Sequence, residues 1–251
     1  MKYENIIIYG GTSEIAIELI KNYINDCNKI LVFCTNKNRL LDLFAKFVNS
    51  VYFFESQKLE LVEINLLELD ENIKKIKELN NDISGVFWIA GKTGDSNEEY
   101  HNIENAKKNL QVNFFHPILI INEISKKMIK DKNSFIGVFT SVAGLRGRKK
   151  QLFYSSGKAG LISYLSGLRQ KVYSDKILVT TIIPGYMNTK PFREGSWKAP
   201  SFLVTEPNKV ALKVKKGILN KDEIIYINFF WRIIMFIVKI IPEKIYKRLS
   251  F

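Results

Sequence analysis

Cysteine is nearly absent. Cys27 and Cys34 are the two in 251 residues, too few and too close for a disulfide framework, and each falls in an apolar stretch. A reducing compartment and ordinary packing are therefore expected. Long apolar runs are missing too. The opening MKYENIIIYGG carries only a few apolar residues before glycine breaks the run, which excludes a signal peptide or anchor starting there and points to the cytoplasm. The chain also lacks internal repeats, low-complexity tracts and Pro/Gly/Ser-rich linkers, so one domain over residues 1–251 is expected. Acidic residues are in short supply. With 25 Asp and Glu against 38 Lys and Arg, the formal charge is +13, which favours anionic partners: cofactor phosphates, a phosphorylated substrate, anionic lipid or nucleic acid. Nucleic acid is not expected, because the lysines are dispersed and basic-aromatic interleaving is missing. A solvated lysine-rich surface accounts for the charge as well as any ligand does.

What is present is an alternation. Short β-branched runs at Ile6 to Tyr9, Ile30 to Cys34, Leu59 to Ile64, Val86 to Ala90, Phe135 to Thr140, Ile177 to Ile183 and Glu223 to Ile227 alternate with segments of helical period. That pattern indicates βαβ units. Near-continuous apolar strands suit a sheet covered on both faces by helices. The expected fold is α/β: one Rossmann-type doubly wound domain with a seven-stranded parallel sheet.

The first strand runs into YGGTSEIA. Gly10, Thr12 and Ser13 then stand at the mouth of a helix, with Ile15 in its first turn, where free N–H groups and the helix dipole attract a pyrophosphate. A tight turn with no ligand uses glycine in the same way. After the second strand, CTNKNRL offers Thr35, Asn36 and Arg39 and no acid to hold a ribose 2′-hydroxyl, which favours a 2′-phosphate and hence NADP(H) over NAD(H). First-turn residues without a ligand are the alternative.

Tyr154 and Lys158 are four apart, so a helix sets both on one face. The spacing alone carries little weight: with 11 tyrosines in a lysine-rich chain such pairs arise by chance, and Tyr186 with Lys190 is another. What distinguishes Tyr154 is Ser141, which lies upstream just after the apolar strand FIGVF, at the sheet edge where such folds bind ligands. Carbonyl reduction needs a proton donor where hydride arrival develops negative charge. A free phenol, with a pKa of about 10, is a reluctant one, and a nearby ammonium such as Lys158 is expected to lower it. Ser141 can hydrogen-bond the substrate oxygen. Asn113, in the segment LQVNFFHP, is set to hold a water linking Lys158 to solvent. No metal enters this scheme.

Together these residues resemble the short-chain dehydrogenase/reductase family, and the similarity runs from the first strand to the last residues. The resemblance implies a catalytic Ser141, Tyr154 and Lys158 with Asn113 completing a tetrad. It implies cofactor contacts from Pro184, Gly185, Met187 and Thr189 in IIPGYMNT, from Asn65 and Leu66 at an adenine, and from Ala90 and Gly91 at a ribose. It also implies a homodimer or tetramer. Three positions depart from the family pattern: Glu14 and Ala16 replace the second and third glycines of the Gly-x3-Gly-x-Gly turn, and Trp88-Ile89 stand where two asparagines are common. A cofactor turn of somewhat different shape is expected.

Within the family, GGTSEI, AGKTGD, SVAG with RGRKK, YSSGKAG and WRIIMFIVKIIPEKIYKRL are similar to the branch that reduces decaprenylphosphoryl-2-keto-β-D-erythro-pentose. That likeness implies a ketone on a lipid-linked sugar, a role in cell-envelope polysaccharide synthesis and a flavin-dependent oxidase partner. The alternative is another soluble or lipid ketone such as a 3-oxoacyl compound. Arg146 and Arg148, beginning five residues after Ser141, are candidates for gripping a substrate phosphate, or else belong to a solvated loop. The closing segment, residues 228–251, is apolar with scattered basic residues and too short to span a bilayer. It either lies at the inner membrane surface or packs on the domain or a partner.

Overall fold

The computed structural model describes residues 3–47, 58–130, 133–195 and 198–249. Seven strands form one parallel sheet: β1 (Tyr3–Tyr9), β2 (Cys27–Cys34), β3 (Leu59–Glu63), β4 (Ile83–Trp88), β5 (Phe135–Phe139), β6 (Leu178–Ile183) and β9 (Ile224–Tyr226). Their order is β3-β2-β1-β4-β5-β6-β9. The order reverses between β1 and β4, the switch point at which an open α/β sheet leaves a crevice beyond its carboxyl edge. Two-residue strands β7 (Tyr186–Met187) and β8 (Val204–Thr205) pair apart from the main sheet.

All seven expected strands are present, with displaced ends. β1 starts three residues earlier than Ile6 and β2 three earlier than Ile30, because their amino ends are half-polar and are held by each other: Asn28 donates to the Glu4 carboxylate. β4 stops at Trp88 rather than Ala90, since Ile89 and Ala90 both turn their N–H groups to the Tyr9 carbonyl.

The alternation within each strand assigns the two faces. Ile6 and Ile8 point to one core and Ile7 and Tyr9 to the other, as the period of two requires. The first core is covered by α1 (Glu14–Tyr23), α2 (Lys37–Phe47) and α9 (Pro207–Leu219). The second is covered by α3 (Leu69–Glu78), α6 (His116–Ser125) and the long α7 (Leu152–Lys171). The short α4 (Ser96–His101) and α5 (Ile103–Leu110) follow β4, and α8 (Lys190–Glu194) follows β7.

A stack of Phe33, Tyr9 and Trp88 crosses three adjacent strands, with ring centroids 4.4 and 4.6 Å apart. The Trp88 indole donates to the Ala90 carbonyl at 3.1 Å. The residue that replaces the family's asparagine thus fixes the turn after β4 by its own hydrogen bond.

The closing segment is helical: α10 (Phe229–Ile240) and α11 (Glu243–Tyr246). Trp231 and Met235 on the inner face of α10 join Val142 and Ile183 in a third apolar cluster. The packing expectation therefore holds for one face of this helix. No helix among the described residues is long and apolar enough to cross a membrane.

Candidate active site

A cavity of about 990 Å³ opens at the carboxyl edge of the sheet. Its floor is the switch point. Gly10 has φ +96°, which favours glycine, and a Cβ there would stand 2.6 Å from the Ala90 backbone nitrogen. Ser13 caps α1, its hydroxyl accepting from Ile15 N–H. Gly10, Thr12, Ser13 and Ile15 all line the cavity, and so do Ala90 and Gly91. The altered turn has a definite shape. Ala16 is fully buried against the first core. The Glu14 carboxylate swings out to α8, accepting from both Nη atoms of Arg193, at 3.1 and 2.7 Å, and from Lys190 N–H.

Beyond β2, Thr35, Arg39 and Leu66 line the cavity while Asn36 and Asn65 do not. Both asparagines are spent on the backbone: Asn36 Oδ1 accepts from Arg39 N–H at 2.8 Å, and Asn65 Oδ1 from Leu67 N–H at 3.0 Å. Side chains of this type compete for local N–H groups at helix starts and turns. Asn65 instead faces a neighbouring depression shared with Thr35. Asp42, Leu43 and Lys46 join Arg39 on the lining, and their i, i+3, i+4, i+7 spacing on α2 is the signal that could have found them.

On the far side, Ser141, Tyr154 and Lys158 converge on the cavity together with Pro184, Gly185, Met187 and Thr189. The Ser141 hydroxyl stands beside the Tyr154 phenol, close enough to act on its pKa. Ser141 Oγ also accepts from Ala143 N–H at 3.1 Å, and Val142 N–H reaches the Pro184 carbonyl. Lys158 is 3% exposed. Its Nζ donates to the Phe139 carbonyl at 3.2 Å and lies 5.7 Å from the Tyr154 ring centroid. Burial pushes its pKa down to about 8. Burial pushes the Tyr154 phenol up, against which the Ser141 hydroxyl and the Arg148 charge act. Arg148 is thus a cation that counters the rise, a residue the sequence offered only as a phosphate grip.

Asn113 sits in a π-helical turn, Gln111–Phe115, between α5 and α6, a distortion common at functional sites. It is fully buried and outside the cavity lining. Its amide is spent on Lys92, accepting from its N–H and donating to its carbonyl at 2.7 Å, and on Asn109, which in turn donates to the buried Glu99. In this arrangement the side chain fixes the turn beside Lys158.

The two arginines separate. Arg148 lines the cavity, with Nη2 3.8 Å from Met235 Sδ. Arg146 lies outside the lining and closes the carboxyl end of α10: Nη1 donates to the carbonyls of Val238, Lys239 and Ile241, Nη2 to Glu243, and the guanidinium stacks 3.8 Å over Tyr246. A helix end leaves just such carbonyls unpaired. Arg146 is committed to the fold, so the expected phosphate grip by this residue is not available. Trp231, which sequence spacing did not single out, supplies a wall. Its indole donates to the Leu203 carbonyl at 3.0 Å and packs so closely on Gly185 that no side chain fits there. Tyr186 and Lys190 lie on β7 and α8 rather than one helix, so that Tyr-x3-Lys pair is the coincidental one.

A family model described as short chain dehydrogenase matches residues 4–198. An uncharacterized oxidoreductase of Mycobacterium tuberculosis is 21% identical over 244 residues, 97% of this chain and 96% of that protein. The 3-oxoacyl-[acyl-carrier-protein] reductase of Aquifex aeolicus is 24% identical over 186 residues, 73% of each chain. Among solved structures, a short chain dehydrogenase from Burkholderia cenocepacia in complex with NADP superposes with a TM-score of 0.79 at 16% identity, covering 99% of this chain and 98% of the other.

Proposed function

Since the chain belongs to the short-chain dehydrogenase/reductase family of NAD(P)-dependent oxidoreductases, we propose that it is an NADP(H)-dependent ketone reductase, with NAD(H) as the poorer cofactor. The observation that carries this reading is the convergence of Ser141, Tyr154 and buried Lys158 on the wall of a cavity that begins at a glycine turn and a capped helix start. Gly10, Thr12 and Ser13 suit a pyrophosphate there. Arg39 and Lys46 supply cations, where the 2′-phosphate distinguishes NADP(H). The Burkholderia structure holds NADP in the same fold. When bound, the nicotinamide supplies hydride to the carbonyl carbon.

The chain's part is the proton. Tyr154 Oη donates to the carbonyl oxygen as it gains charge, leaving a phenolate that Lys158 and Arg148 stabilise until solvent returns the proton. Ser141 orients the same oxygen. Asn113 keeps the Gly91–Lys92 turn in register with Lys158.

For the substrate we favour a keto-sugar carried on a polyprenyl phosphate, made for cell-envelope polysaccharide by a flavin-dependent oxidase and reduced by this chain as a homo-oligomer. Its support is the motif likeness together with Arg148, Lys150 and Lys198 on a cavity wall otherwise built from Trp231, Met187 and Phe192, a combination suited to a phosphate next to an apolar chain. Likeness to the Aquifex aeolicus reductase supports a second reading, a 3-oxoacyl compound.

NADPH and NADH consumption by the purified protein, with polyprenyl-phosphate 2-keto-pentose and with a 3-oxoacyl thioester, separates the two. The sugar reading expects Tyr154-dependent NADPH oxidation with the first substrate. Turnover of the thioester alone replaces it with the second reading, and Tyr154→Phe turning over at the wild-type rate removes the proton-donor assignment.

A further inference from the structure

The helix that closes the cavity has two faces of opposite use. Trp231 and Met235 are buried inward. Phe229, Phe230, Ile233, Phe236, Ile237 and Ile240 are all exposed, Phe236 by 67% and Ile240 by 65%. At 100° per residue these six fall on the side of α10 opposite Trp231. Arg232 and Lys239, seven residues apart, run along one flank of the stripe. Phe202 extends the patch, its ring 5.3 Å from that of Phe230 and itself 57% exposed. A contiguous exposed apolar face of this kind marks an interaction surface.

The charge of the segment selects the occupant. Between Phe229 and Leu249 stand five basic residues, Arg232, Lys239, Lys244, Lys247 and Arg248, and one acid, Glu243. That acid is taken by Arg146. A second copy seated face to face would bring two uncompensated cationic rims together, whereas an anionic lipid surface accepts the apolar stripe among its acyl chains and pairs the rim with headgroups. At 12 residues, α10 is a surface helix and not a span.

We propose that the outer face of α10 docks on an anionic phospholipid bilayer. Arg146 ties the end of this helix to the loop that follows Ser141, and Trp231 lines the cavity from its inner side. Docking therefore sets the substrate wall at the membrane. This deepens the lipid-linked reading above and rests on it only for what the surface delivers.

The test is sedimentation of the full chain with vesicles of phosphatidylcholine alone or containing phosphatidylglycerol, read without substrate or turnover. Its outcome is thus separate from that of the substrate assay. Wild type is expected to pellet at least tenfold more with the anionic vesicles, Phe236→Glu/Ile240→Glu to lose that binding, and Arg232→Glu/Lys239→Glu to lose the preference for anionic lipid. Wild type remaining in the supernatant, or the Phe236→Glu/Ile240→Glu protein pelleting like wild type, overturns the proposal. So does light scattering that finds a wild-type assembly split by Phe236→Glu/Ile240→Glu, which would assign the face to a second copy.

Discussion

The wall of the cavity at the ends of β1, β2 and β4 is made largely of turns that immediately follow the strands, Gly10, Thr12 and Ser13, Thr35, and Ala90 and Gly91, joined by Arg39 from the first turn of α2. The opposite wall is assembled from side chains far apart in sequence. Tyr154 and Lys158 come from α7, Ser141 and Arg148 from the loop before it, and Trp231 from a helix about 80 residues later. The first wall depends on backbone geometry and helix starts, so it tolerates Glu14, Ala16 and Trp88 at positions where the family has other residues. The second depends on which side chain meets which, so single substitutions there should act sharply.

The largest effect should follow Tyr154→Phe, which keeps the ring and deletes the proton. Turnover should fall by roughly 10²–10⁴-fold while NADPH affinity, measured by fluorescence titration, stays near wild type. A parallel loss of affinity would mean that the two walls are not separable.

The pH dependence sharpens the same point. With Lys158 titrating at about 8, carbonyl reduction should weaken as pH rises through that value, because the neutral amine no longer stabilises phenolate. A rate flat from pH 7 to 9.5 would remove Lys158 from that role. The linkage to stability has the opposite sign. Between about 8 and the ordinary 10.5 the unfolded chain holds a proton that the folded chain lacks, so this group's contribution to stability rises with pH across the window.

Arg146→Ala tests whether the second wall hangs on α10. Removing a mostly buried guanidinium from three carbonyls and Glu243 should cost about 2–3 kcal/mol in urea unfolding. An unchanged midpoint would show that the helix end is held by other groups.

On the turn-built wall the expected effects are smaller. Arg39→Ala should raise KM for NADPH about tenfold, or about 1.4 kcal/mol, and leave KM for NADH unchanged. Equal changes for both cofactors would deny Arg39 the 2′-phosphate. Smallest is Arg193→Ala. Its pair with Glu14 is half-exposed on the arginine side, so chemical denaturation should register under about 1 kcal/mol.

The legibility of the chain follows the same division. The five central strands could be read because each is a short apolar run largely buried on both faces, the edge strands β3 and β9 because they continue the alternation, and Tyr154 and Lys158 because helical spacing and an upstream Ser141 are local facts. Strand ends were less legible. Tyr3 to Asn5 and Cys27 to Lys29 join the sheet through pairing with each other, which no single window contains. The fates of Asn36, Asn65 and Asn113 could not be read either, since an asparagine facing a ligand and one capping its own turn look alike in sequence. Arg146 and Arg148 illustrate the limit well: two residues apart, both meet α10 from the far end of the chain, Arg146 at its carboxyl end and Arg148 at Met235 on the cavity side.

By itself, the sequence determined the βαβ alternation, the glycine turn after β1 and the Ser, Tyr and Lys set, because each is written in contiguous residues whose periodicity or chemistry is intrinsic. The tertiary structure alone decided that Glu14 turns to Arg193, that Arg146 closes a helix instead of facing the cavity, and that Trp231 walls the site. Each of these depends on a contact spanning some 45 to 180 residues (Trp231 to Gly185, Arg146 to Val238, Glu14 to Arg193), and only the packed sheet and its covering helices bring such partners within reach.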